Sequence, residues 1–125
     1  MVARLALIVD DNAFNLKLLR DVLRFEGYRT AEAATATSAL ASAAAERPDV
    51  VLLDVGLPDM SGVDALARLR ADPRTRSVPV MAVTSSAMVG DRERLIGAGF
   101  DDYLAKPVGI RDLVERVRRL CEPGE

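Results

Sequence analysis

The groups from which this chain could build a reactive site are few: the adjacent carboxylates Asp10 and Asp11, the carboxylate of Asp54, the hydroxyl of Thr84 with Ser85 and Ser86 behind it, and the amine of Lys106. Histidine is absent and Cys121 is the only cysteine. That removes the commonest general base, the usual zinc ligand and every Ser-His or Cys-His nucleophile. If the three acids converge they need a cation among them, because two carboxylates about 4 Å apart repel by ~4 kcal/mol at an effective dielectric of about 20. One lysine does not neutralise three acids. Ligands that are all oxygen suit a hard ion such as Mg²⁺. A metal beside an ionised carboxylate, a lysine and a hydroxyl is the equipment of phosphoryl transfer, in which catalysis consists of positioning the group and balancing its charge. A carboxylate is already a nucleophile at pH 7, so the missing histidine is no obstacle. Lysine occurs only at positions 17 and 106 in an otherwise arginine-based set of 17 cations, which makes the compact point charge of Lys106 stand out.

The elements that would carry these groups alternate regularly. Leu5–Val9 is a continuous apolar run that ends on Asp10, Asp11 and Asn12, the pattern of a buried strand followed by a polar loop. Asn15–Glu26 has apolar residues at Leu18, Leu19, Val22 and Leu23 and stops at Gly27, which predicts a helix. Tyr28–Ala31 reads as a short second strand, and alanine-rich Thr35–Glu46 as a helix ended before Pro48. Asp49–Asp54 is the clearest buried strand; a loop with Pro58 and two glycines follows, then a helix N-capped by Ser61 with Val63, Leu66, Ala67 and Leu69 as apolar positions. Val78–Val83 is the fourth strand, with Pro79 tolerable near its start, and Met88–Ala98 a helix ending at Gly99. Asp102–Ala105 is a fifth strand and Ile110–Leu120 a final amphipathic helix.

Such alternation predicts an α/β fold, a doubly wound parallel sheet with helices on both faces and right-handed crossovers. In the flavodoxin-like order 2-1-3-4-5, ligands bind beyond the carboxyl ends of the strands. Strands one, three, four and five would then bring Asp10, Asp11, Asp54, Thr84 and Lys106 to one pocket. Asp54, on the central strand, is the best nucleophile candidate.

Composition narrows the field further. Of the 125 residues 50% are hydrophobic, enough for the core of one domain, and no internal repeat or linker divides it. The net charge of -2 leaves no positive excess for nucleic acid. No apolar run approaches the roughly 20 residues that span a bilayer, and no secretory leader opens the chain. A lone cysteine suits a reducing cytoplasm. Arg111, Arg116, Arg118 and Arg119 are interleaved with Asp112 and Glu115 and read as a solvated helix face. Phe14, Leu18 and Phe25 lie close by helical spacing; the expectation is Leu18 in the core and ordinary packing for both phenylalanines, with a docking face as the competing reading.

Four motifs, LIVDDN, VLLDVGLPDMSG, AVTS and YLAKP, sit at the ends of the first, third, fourth and fifth strands. On these the chain resembles, over its full length, the receiver domain of two-component response regulators. The resemblance implies a flavodoxin-like (CheY-like) fold. It also implies an aspartate phosphorylated by a histidine kinase or histidine phosphotransfer protein in a step dependent on Mg²⁺ or Mn²⁺. Carried over, Asp54 is the phospho-acceptor, and Asp11, Asp54 and the Gly56 carbonyl ligate the metal, with Asp10 acting largely through water. Thr84 and Lys106 bind the phosphoryl group, Tyr103 is the aromatic that swings inward as Thr84 moves, and the Lys106–Pro107 bond is cis. Residues 11–28, DNAFNLKLLRDVLRFEGY, look like receivers of hybrid kinases and of single-domain cell-division regulators; on the docking reading of this helix, Phe14, Lys17 and Leu18 are the candidate partner surface. Gly56 stands where many receivers carry a side chain that influences the lifetime of the phosphate. The expectation is one receiver domain over 1–125 with no output domain, cytoplasmic and not an enzyme. A phosphatase working through an aspartyl phosphate would want a second acid at position 56, which is glycine. A phosphorylation-independent interaction module of the same fold is the remaining alternative. Neither a P-loop nor a G-x-G-x-x-G pattern is present for a nucleotide.

Overall fold

A computed structural model describes residues 3–85 and 90–122. Ten elements alternate: β1 (Leu5–Val9), α1 (Ala13–Phe25), β2 (Arg29–Ala33), α2 (Ala36–Ala45), β3 (Val50–Asp54), α3 (Gly62–Ala71), β4 (Val80–Thr84), α4 (Asp91–Ala98), β5 (Asp102–Ala105) and α5 (Ile110–Cys121). The strands form one sheet in the order β2-β1-β3-β4-β5, every neighbouring pair parallel. This is the flavodoxin-like arrangement.

The central strands β1, β3 and β4 are buried along their whole length, which is why they read as runs of Leu, Ile and Val. Their side chains alternate between two cores. Leu7, Val9, Val51 and Leu53 pack with Ala36, Ala39 and Ala43 of α2, Leu66 and Leu69 of α3 and Leu95 of α4. Ala6, Ile8, Val50 and Leu52 pack on the other face with Leu19 and Leu23 of α1 and Leu113 and Val117 of α5. Each leucine so buried contributes about 1.5–3 kcal/mol relative to exposure.

Several boundaries differ from the periodicity reading, each for a hydrogen-bonding reason. β2 spans Arg29–Ala33 instead of Tyr28–Ala31 because Tyr28 belongs to the end of α1. Its N–H donates to the Leu23 carbonyl (3.0 Å) and the Gly27 N–H to that of Arg24 (3.0 Å), with Gly27 left-handed at φ +96°. α1 starts two residues early because the Asn12 side chain accepts the Asn15 N–H at 3.1 Å. Asp49 leaves β3 to accept the Leu5 N–H at 2.8 Å. β4 begins after Pro79 and runs on to Thr84, so the hydroxyl sits on the strand's last residue. Ser86 and the Met88 start expected for α4 lie outside the described residues; the described helix follows Gly90.

Two surface expectations need correction. Phe14 and Phe25 are not core packing: they are 73% and 88% exposed, with Leu18 half-buried, because Leu19 and Leu23 occupy the face of α1 turned to the sheet. Arg116 is not simply solvated: it reaches past Asp112 to Asp102 at the start of β5. Among the described residues no helix is long and apolar enough to cross a membrane.

Candidate functional site

The parallel arrangement sets the carboxyl ends of β1, β3, β4 and β5 side by side, and the site is assembled there. Asp10 follows β1, Asp54 closes β3, Thr84 closes β4, and Lys106 follows β5. The carboxylate oxygens of Asp10, Asp11 and Asp54 lie within 4.8 Å of one another. Lys106 Nζ bridges two of these acids, 2.8 Å from Asp10 Oδ2 and 3.3 Å from Asp54 Oδ2. Asp10, Asp54 and Thr84 are buried, Lys106 is half-buried and Asp11 is exposed.

Local backbone geometry holds these groups. The second Asp10 oxygen accepts the Asn12 N–H at 2.9 Å, fixing the turn into α1. Asp54 Oδ1 accepts the Gly56 N–H at 3.0 Å, folding the loop after β3 back over the carboxylate. Lys106 N–H donates to the Thr84 carbonyl at 2.8 Å, carrying the β4–β5 ladder one residue past β5. The Lys106–Pro107 peptide is cis. Tyr103 is half-buried against the core shared by α2, α3 and α4. Gly62 allows the loop to close, since a Cβ there would lie 2.5 Å from Val55 Cα.

The electrostatics follow from crowding. Burial pushes the Asp54 carboxyl above its ordinary pKa; the Gly56 N–H and Lys106 oppose this, and the Asp10 charge adds to it. Burial works to lower the Lys106 pKa, but its hydrogen bond to Asp10 and the charges of Asp54 and Asp10 outweigh burial and raise it. The ammonium is therefore fully charged at neutral pH, yet it is one cation against three acids. An all-oxygen donor set with this excess of negative charge fits a hard divalent ion and nothing softer.

Other candidates fall elsewhere. Lys17 is exposed on α1, paired with Asp21 at 2.9 Å. Phe14, Leu18 and Leu19 line a small cavity of about 110 Å³ with Lys106, Pro107 and Val108, so the exposed face of α1 borders the acidic pocket. Asp59, which the sequence reading did not single out, holds the first turn of α2. Its only sequence signal is an acid in the turn after the central strand.

The fold and site together define an aspartate-centred pocket at the carboxyl edge of a doubly wound sheet, the layout of a phospho-accepting signalling domain. Residues 6–118 match the response regulator receiver domain, and the chain belongs to that family. It is 38% identical to the polar-differentiation response regulator DivK of Brucella anthropi over 112 residues, 90% of this chain and 91% of that protein. Among solved structures it is similar to a putative response regulator of Chloroflexus aurantiacus (TM-score 0.91, 33% identity, covering 96% of this chain and 98% of that one). It is also similar to the receiver domain of a Pseudomonas aeruginosa sensor histidine kinase with magnesium coordinated in its active-site cleft (TM-score 0.87, 37% identity, covering 96% and 98%). The chain is thus a response regulator receiver domain related to the polar-differentiation regulator DivK.

Proposed function

We propose that Asp54 accepts the phosphoryl group in this chain, from the phosphohistidine of a sensor kinase or phosphotransfer protein. An Asp54 oxygen bonds to phosphorus as the P–N bond breaks and the imidazole leaves. The observation that carries this reading is the shared position of Lys106 Nζ, 2.8 Å from Asp10 and 3.3 Å from Asp54. From there the ammonium can follow the charge from carboxylate to phosphoryl oxygen. Asp10, Asp11, Asp54 and the Gly56 carbonyl are the residues that would hold Mg²⁺ or Mn²⁺, Asp10 largely through water. When bound, the ion offsets the charge of the transferring group. Thr84 donates its hydroxyl to the phosphoryl group, and Tyr103 moves into the space behind it. The α4–β5–α5 face changes shape as a result.

The docking surface for the donor is the exposed face of α1 with Phe14, Lys17 and Leu18, which borders the pocket through Pro107 and Val108. The net charge of -2 supports protein partners over nucleic acid, and the family supports a cytoplasmic location without membrane insertion. The chain takes up one equivalent of phosphate and is not a turnover enzyme.

The test is incubation with acetyl phosphate and Mg²⁺, followed by intact-mass measurement. The wild type gains a single phosphoryl mass, and Asp54→Asn gains none while keeping its fold. Label on Asp54→Asn rejects the reading; failure of the wild type to label favours the phosphorylation-independent module. Phe14→Ala slows transfer from a cognate kinase about tenfold by removing one interface anchor, and leaves acetyl phosphate labelling and stability unchanged. Equal kinase-driven rates would remove α1 from the docking surface.

A further inference from the structure

The loop between β3 and α3 is fastened to the start of α2. Both Asp59 carboxylate oxygens are engaged with the first turn of α2: Oδ1 accepts the Ala36 N–H at 2.9 Å, and Oδ2 accepts the Thr37 N–H at 3.0 Å and the Thr37 hydroxyl at 2.8 Å. Thr35, the N-cap, accepts the Ser38 N–H through its side chain at 3.1 Å and shares a hydrogen bond with the Ser38 hydroxyl at 2.9 Å. α2 has no acidic residue in its own first turn. The orphan donors at its start are therefore shared between its own cap and an acid that is 23 residues away from Ala36 in sequence. The three donors and the positive end of the helix hold the Asp59 carboxyl at a pKa of about 2.

The same loop must aim the Gly56 carbonyl. Glycine is the least constrained residue, and a Cβ at Gly56 would meet only Asp54 Oδ1, at 3.7 Å. The direction of that carbonyl is set by the anchors on either side of it. On one side is the Gly56 N–H bond to Asp54; on the other are buried Leu57 and, two residues further, the Asp59 clamp. The clamp also commits a fourth acid to donors on α2, so that it does not compete for a cation.

We infer that Asp59 is a positioning residue for the divalent cation, tying the loop that carries the Gly56 carbonyl to α2. This rests on the phospho-acceptor reading above. The test is Mg²⁺ titration of the full chain, followed by the amide shifts of Asp11 and Gly56, in the wild type, Asp59→Ala, Asp59→Asn and Thr35→Ala. Asp59→Ala weakens Mg²⁺ binding about tenfold, the low end for outer-shell partners, and speeds hydrogen exchange at Ala36 and Thr37. Asp59→Asn, which keeps one acceptor oxygen, falls between it and the wild type and serves if the alanine variant does not fold. Thr35→Ala removes a cap from the same helix without touching the loop, and binds Mg²⁺ as the wild type does. Wild-type affinity in a folded Asp59 variant overturns the inference, as does equal weakening by Thr35→Ala, which would assign the effect to helix integrity. A wild type with no response to Mg²⁺ fails the cation site itself, and the role of Asp59 falls with it.

Discussion

Each edge of the sheet carries three aspartates, and the two sets are treated differently. At the amino edge each acid has its own donors. Asp49 accepts the Leu5 N–H at 2.8 Å; Asp101 accepts the Val80 N–H at 2.8 Å and pairs with Arg70 at 2.8 Å. Asp102 accepts the Tyr103 N–H at 2.8 Å and pairs with Arg116 at 2.6 Å. Asp49 ties β1 to the start of β3, and the two acids paired with arginines strap α3 and α5 to the sheet. At the carboxyl edge Asp10, Asp11 and Asp54 crowd within 4.8 Å, and Asp10 and Asp54 share Lys106. Burial does not separate the sets, since Asp102 is 8% exposed and Asp54 7%. What separates them is charge balance: a buried acid with its own guanidinium is a strut, and a cluster of acids short of cations is a site waiting for positive charge.

This contrast can be broken from either side. The largest effect belongs to the amino edge. Arg116→Ala strands a nearly buried Asp102 carboxylate and costs about 2–3 kcal/mol in urea unfolding, while acetyl phosphate labelling of Asp54 persists. A loss of labelling in a folded variant would show that the seam between β5 and α5 is part of the site. The smaller effect belongs to the carboxyl edge and has the opposite sign. Because the folded-state pKa of Asp54 is raised, the ionised carboxylate is disfavoured on folding. That cost is present at pH 7 and fades as pH falls through the raised pKa towards the unfolded value of 3.8. Asp54→Asn in metal-free buffer therefore raises stability at pH 7, and the gain fades as the pH falls through the raised pKa towards 3.8. A destabilised Asp54→Asn at pH 7 would mean that Asp54 is balanced by Lys106 and belongs with the struts.

Much of this was legible before any coordinates. Leu5–Val9 and Asp102–Ala105 are read from sequence with the boundaries the structure has, because a strand buried on both faces, or one ending at a charged turn, announces its limits by composition. The ends of α1 and the start of β2 were not legible, because they depend on which backbone N–H the Asn12 side chain and the Leu23 carbonyl capture. Phe14 and Phe25 show the limit of periodicity: it places them on one face of a helix but does not say whether anything covers that face.

Residue types and their order along the chain were enough to specify an oxygen-only, histidine-free phosphoryl site on alternating strands and helices, since hydropathy period and donor chemistry are local properties. Which acids balance which cations was decided only by the fold. Pairing energy depends on distances of a few ångströms between residues as far apart as Asp10 and Lys106 or Asp59 and Ala36, and no local pattern encodes them.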